Sequence, residues 1–245
     1  MVSIRKRRIF MSFSNESEMY GIHHSFQPIW NIAKSTIYGY ESFTRNNPGL
    51  NGEKVYSIVR EHNHLYQHDI YSIEKAIEAF PFLKSHFLFT SIFPSTLFHE
   101  TFPRFLNELI KKFPELIGRL VLQLDETNEG EHRRDLSDIK NTINTLQELG
   151  IFVAITNVGK GINSLKKMTE IKPSIVKLSS YLSLNLNTSE QKQKVVSLLV
   201  DYCTEEGIVL IMEGIKSSID LSYLKKLKVT LGQGDLLGRP SWSLS

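Results

Sequence analysis

Short apolar runs, rich in β-branched and aromatic residues, recur along the chain and alternate with longer stretches of helical spacing. The runs at residues 25–30, 36–43, 87–92, 119–125, 151–155, 174–178, 207–212 and 229–231 read as eight strands. The first two are joined by the short polar segment 31–35, which predicts an antiparallel pair, because parallel strands need a long crossover. Asn46-Asn47-Pro48-Gly49 then breaks the chain. Helical patterns follow over 53–80, where Ile70, Ile73, Ala76, Ile77 and Phe80 share a face, and over 102–113. Residues 94–100 read as a turn or short helix. Leu136, Ile139, Ile143, Leu146 and Leu149 give the next helix, with Gly150 as its C-terminal cap. Further helices are expected over 162–171, 189–206 and 219–227. From residue 87 onward strands and helices alternate, which predicts an α/β fold with a parallel sheet; eight strands favour a closed barrel over an open sheet.

With 245 residues the chain has the usual size of one (β/α)8 barrel, and no linker or low-complexity segment divides it. The expected organisation is a flexible arm over residues 1–22 and one barrel domain over 23–245, standing alone without an attached sensor or cyclase domain. A formal charge of +3 leaves no strong nucleic-acid footprint. Arg5-Lys6-Arg7-Arg8 reads as part of a solvated tail. No stretch reaches the length of a membrane span, and the N-terminus lacks the apolar core of a signal peptide. Cys203 is the single cysteine, so no internal disulfide can form; it reads as a packed thiol in a cytoplasmic protein.

Polar residues mark the ends of most strands: Glu41 and Arg45, Ser91, Gln123 with Asp125-Glu126, Thr156-Asn157, Lys177 and Ser179, Glu213 and Lys216, Gln233. In a barrel these converge on the rim where catalytic groups are usually placed. Other candidates are weaker. His64 and His68 have the spacing of a two-histidine metal site, but no third ligand accompanies them. They read, with His62, His23 and His24, as solvated. Gly159-Lys160-Gly161 lacks the spacing of a phosphate-binding loop.

The ordered fragments F-Q-P-I-W (26–30), G-Y-E-S-F-T-R (39–45), L-Q-L-D-E (122–126), N-V-G-K-G-I-N-S-L (157–165), P-S-I-V-K-L (173–178), M-E-G-I-K (212–216) and G-Q-G-D-L-L-G-R-P (232–240) carry a resemblance. Together they resemble an EAL domain, the bacterial cyclic-di-GMP phosphodiesterase family. The resemblance implies a modified TIM (β/α)8 barrel with an antiparallel first strand, and a homodimer. In the active family two Mg²⁺ or Mn²⁺ ions activate a water that cuts one phosphodiester bond.

Carried over by resemblance, Glu41 fills the place of the signature glutamate, although the signature reads E-S-F here. Arg45 fits the arginine that meets substrate phosphate, Lys177 the lysine beside the attacking water, Glu213 and Gln233 the family's glutamate and glutamine. Glu126 fits a glutamate that orders a loop. The remaining positions depart from the pattern. Ser91 stands for a ligand asparagine, Gln123 for a glutamate, Thr156 and Asn157 for paired aspartates, Ser179 for an aspartate, and Lys216 for a glutamate. The losses fall on metal ligands, and a dication site without carboxylates lacks the charge that favours the ion. Lys216, pointing inward, would add repulsion or pair with Glu41 or Glu213.

The sequence therefore predicts no catalytic metal pair, no cofactor and no hydrolysis. It predicts a regulatory protein that acts through an unidentified protein partner. The alternative is a receptor that binds cyclic-di-GMP without metal, through Arg45, Lys177, Lys216 and Gln233; residual phosphodiesterase activity is a third reading.

Overall fold

A computed structural model describes residues 22–45, 64–124, 136–160 and 162–242. Eight strands close a barrel in sequence order. They are β1 (His23–Asn31), β2 (Thr36–Arg45), β3 (Phe87–Ile92), β4 (Leu120–Leu124), β5 (Phe152–Val158), β6 (Ile175–Leu178), β7 (Val209–Met212) and β8 (Leu231–Gly232). β1 runs antiparallel to both its neighbours, β2 and β8, and the other pairs are parallel. The short link between the first two strands forces this reversal, and the closure leaves no sheet edge to protect.

The helices around the barrel are α1 (Leu65–Ala79), α2 (Pro94–Leu97), α3 (Phe102–Lys112), α4 (Leu136–Glu148), α5 (Ile162–Ile171), α6 (Ser180–Ser183), α7 (Glu190–Glu205) and α8 (Ser218–Lys226). Two single 3₁₀ turns, at Pro114–Leu116 and Leu186–Thr188, and the short α6 have no periodic signature in the sequence. The reading of 1–22 as an arm lies outside the described residues except at Ile22, and so do the first helical pattern of 53–80, Asp125 and Glu126.

Strand side chains alternate in direction, so period two sorts residues to the two sides of the barrel wall. Outward-facing residues join a large core beneath the helices, among them Leu88, Leu120, Leu122, Val153, Val176 and Leu210. Inward-facing ones form a separate apolar plug of Ile29, Phe89, Val121, Ala154, Ile175, Ile211 and Leu231. The plug fills the barrel interior and forms the base on which the next layer stands. Gly39 makes room for it: a Cβ there would lie 2.6 Å from the Phe87 carbonyl oxygen, closer than packed atoms tolerate.

β5 runs three residues further than its apolar run predicts, because it carries a bulge. Ile155 pairs with Val176 and Val158 with Leu178, so β5 holds one extra residue between these pairs. Asn157 takes the left-handed conformation that the bulge requires (φ 59°), one that asparagine accepts more readily than most residues.

The expectation of solvated histidines fails at two positions. His24 is buried, at 7% exposure, and both ring nitrogens of His68 are buried as well. The cause is that β1 begins at His23, two residues earlier than its apolar run, which carries His24 under α1. His64 is exposed as expected. Cys203 is buried, and burial pushes its thiol up to about 11.

Candidate functional site

One layer above the apolar plug the chemistry changes. Two residues beyond Phe89, Val121, Ala154, Ile175, Ile211 and Leu231 come Ser91, Gln123, Thr156, Lys177, Glu213 and Gln233. In the reversed β1 the same step runs backward, from Ile29 to Gln27, and β2 contributes Glu41. The polar layer is thus a direct product of strand alternation above a filled interior. Glu213 and Gln233 lie just past their strands. Backbone bonds from Glu213 N to Leu178 O (3.1 Å) and from Gln233 N to Met212 O (2.9 Å) hold them in register.

Lys177 is the centre of this layer and is fully buried. Its Nζ donates to Glu41 Oε2 at 2.7 Å and to Gln123 Oε1 at 2.8 Å, and lies 2.8 Å from Glu213 Oε1. All three ammonium protons can therefore be used. Burial works against the Lys177 charge, but Glu213 and Glu41 overcome it and hold the group above the ordinary lysine range.

The amides complete the network. Gln123 Nε2 donates to Glu41 Oε1 (2.9 Å), and Gln233 Nε2 donates to Glu41 Oε2 (2.7 Å) and Gln27 Oε1 (3.0 Å). Gln27 Nε2 in turn donates to the Gly238 carbonyl at 2.8 Å. These acceptors fix the Gln233 amide orientation, since a flip would set oxygen against oxygen. Gln233 Oε1 is left buried with no partner among the described residues. It is an acceptor that a water or a ligand donor would meet.

The structure thus gathers Glu41, Gln123, Lys177, Glu213 and Gln233 into one network. The other sequence candidates stand apart from it. Thr156 Oγ1 donates to the Leu124 carbonyl (3.3 Å), and Asn157 sits on the bulge. Ser179 caps α6, accepting from Tyr181 N at 3.3 Å. Ser91 and Arg45 are exposed at the mouth, Arg45 with its guanidinium 5.6 Å from the Phe43 ring centroid.

Lys216 does not reach inward. It is exposed and makes no ion pair with a described residue, while its neighbour Ile215 is fully buried in the core beneath the helices. Glu126 lies outside the described residues. Gln27 is the member of the network that the sequence reading passed over. Its signal was present in the two-residue step from Ile29, obscured by the reversed direction of β1.

A family model described as "EAL domain" matches residues 13–240. The chain is 24% identical over 226 residues to the blue light- and temperature-regulated antirepressor BluF of Escherichia coli (strain K12), covering 89% of this chain and 54% of that protein. It thus spans about half the length of that curated relative. Among solved structures, Klebsiella pneumoniae BlrP1 in a calcium/cyclic-di-GMP complex superposes with a TM-score of 0.81 at 22% identity, covering 91% of this chain and 57% of that one. A standalone versatile EAL protein from Vibrio cholerae O395, in its cyclic-di-GMP-bound form, gives 0.79 at 25% identity and covers 92% and 95%. The closed barrel with one reversed strand, its polar floor and the family match over residues 13–240 agree, and the chain belongs to the EAL domain family.

Proposed function

We propose that this EAL domain is a catalytically inactive regulatory protein that acts in the cytoplasm through contact with a protein partner. The observation that carries the proposal is the buried Lys177 ammonium, shared between Glu41 and Glu213, the two carboxylates of the floor among the described residues. A metal pair needs several carboxylates free to bridge and flank it. Here both are already committed to an internal cation, and Gln123, Thr156, Asn157 and Ser179 offer only amides and hydroxyls. Both hydroxyls have structural partners, Thr156 the Leu124 carbonyl and Ser179 the Tyr181 N–H. Among the described residues no cluster of three or more His, Cys, Asp or Glu could hold a metal ion. The donor set does not fit a two-metal centre.

One surface feature supports a binding role. Tyr181, Leu184, Val195 and Leu198 leave large apolar side chains exposed on and beside α6 and α7. No helix among the described residues is long and apolar enough to cross a membrane.

The second reading is a metal-independent cyclic-di-GMP receptor. It is favoured by Arg45, exposed at the mouth and able to hold phosphate bidentately, and by the unpartnered Gln233 Oε1. The charge of the floor weighs against it. Among the described residues the floor sets two carboxylates against one ammonium, and an excess of carboxylate repels a dianionic ligand. Calorimetric titration with cyclic-di-GMP, first in chelator and then with Mg²⁺, separates the readings, with Arg45→Ala as the control. No saturable heat in either buffer is the expected result. Saturable binding in chelator that Arg45→Ala abolishes would establish the receptor instead. Binding that requires Mg²⁺ would overturn the account of the donor set.

A further inference from the structure

Behind the mouth, between α1 and the outer wall of β1 and β2, lies a second polar cluster that the floor does not use. His24 of β1 is buried, and neither ring nitrogen makes a well-formed hydrogen bond to a described residue. The groups that face it are His23 on its own strand, and His68 and Ser72 on α1. Thr44, its register partner on β2, carries no charge. Asp69, next along α1, is buried and is turned to the far side: it accepts from Phe93 N at 2.7 Å, with Thr96 beside it, and lies 3.8 Å from His68 Nδ1. Arg45 pairs in register with His23 and is exposed. Among the described residues a proton on His24 would therefore meet two other imidazoles and no carboxylate of its own.

Two hydrogen bonds pin α1 over this cluster. Ser72 Oγ and Thr44 Oγ1 are 3.1 Å apart, and Asp69 holds the Phe93 amide. Thr44 immediately precedes Arg45, and Phe93 follows Ser91 by two residues. The pins thus sit directly behind two residues of the mouth.

We propose that this seam is an acid-sensitive joint: protonation of His24 releases α1 from the barrel wall while the barrel itself stays closed, and so loosens the part of the mouth that carries Arg45 and Ser91. Burial with no well-formed bond from either nitrogen to a described residue favours the neutral imidazole over the charged one, and opening the seam returns His24 to water, where it can take a proton. Burial, then His68 and His23, hold its pKa down at about 4 against an ordinary value of 6.5, and the Ser72 backbone offsets part of this. The sign follows from linkage. Below pH 6.5 the open form binds the proton and the closed form does not, so opening rises as pH falls and levels off near pH 4. Between about pH 7.5 and about pH 5 the opening equilibrium should grow about thirtyfold.

Hydrogen exchange of the full chain at those two pH values, corrected for the intrinsic pH dependence of exchange, tests the joint. The expected result is that peptides of α1 lose protection by tens of fold relative to peptides of α7. His24→Gln should remove that difference; where His24→Gln does not fold, His24→Phe serves the same purpose. Equal protection of α1 at both pH values in the wild type would overturn the proposal. So would joint loss of protection in α1 and α7, or a pH effect that survives substitution of His24.

Discussion

Replacing Lys177 by methionine keeps the length and apolar stem of the side chain and removes only the ammonium. In the wild type that ammonium lies 2.7 Å from one glutamate oxygen and 2.8 Å from another, with its own side chain fully buried. Glu41 and Glu213 have side-chain exposures of 12% and 22%, so both carboxylates are largely withdrawn from water. Without Lys177 both lose the buried cation they share. Breaking a buried pair in this way costs about 3–5 kcal/mol, which in a domain of this size lowers Tm by roughly 10 °C. The exposed pair Arg104–Glu108, with side-chain exposures of 66% and 44%, supplies the contrast. Arg104→Ala should cost about 1 kcal/mol or less.

Urea and thermal unfolding of both variants give the comparison, and adding Glu213→Gln to Lys177→Met should recover a large part of the loss. Equal small losses for Lys177→Met and Arg104→Ala would refute the idea that Lys177 is the internal counter-ion of the floor. A double variant no more stable than Lys177→Met would refute it as well.

Further outcomes follow from single contacts. Gln123→Glu replaces the amide that donates to Glu41 Oε1 with a carboxylate facing a carboxylate; it should lose about 1–3 kcal/mol, measured by urea unfolding, and the loss should shrink as pH falls into the carboxylate range. Gly39→Ala places a Cβ 2.6 Å from a backbone oxygen and should lower Tm by several degrees or leave the protein insoluble, since backbone cannot give way as a flexible side chain can. Cys203 is buried and its thiol pushed up to about 11, so alkylation of the native protein near neutral pH should be slow and should accelerate on denaturation.

Much of this site could be read in the sequence because strand alternation is simple. Gln123, Lys177, Glu213 and Gln233 each follow an inward apolar residue by two positions, and the structure brings them together as that spacing requires. Three features could not be read this way. The β5 bulge depends on register against β6, and T-N-V-G reads locally as a turn rather than as continued strand. The resemblance gives Lys216 a family position, but direction beyond a strand end is set by packing, and Lys216 stays exposed while Ile215 is buried in the outer core. His24 and His68 belong to segments dense in polar residues, which resemble solvated loops until α1 is laid over β1. In each case the missing information was long-range, so neither period nor propensity could supply it.

We propose that an internal cation holds the floor of this EAL barrel, in place of a hydrolytic metal pair. Turnover tests this: the purified chain with cyclic-di-GMP and excess Mn²⁺ or Mg²⁺, with the linear and mononucleotide products resolved by chromatography. The account predicts no product above the no-enzyme control with either ion. Product that depends on the metal, and that disappears in Glu41→Gln, would contradict it.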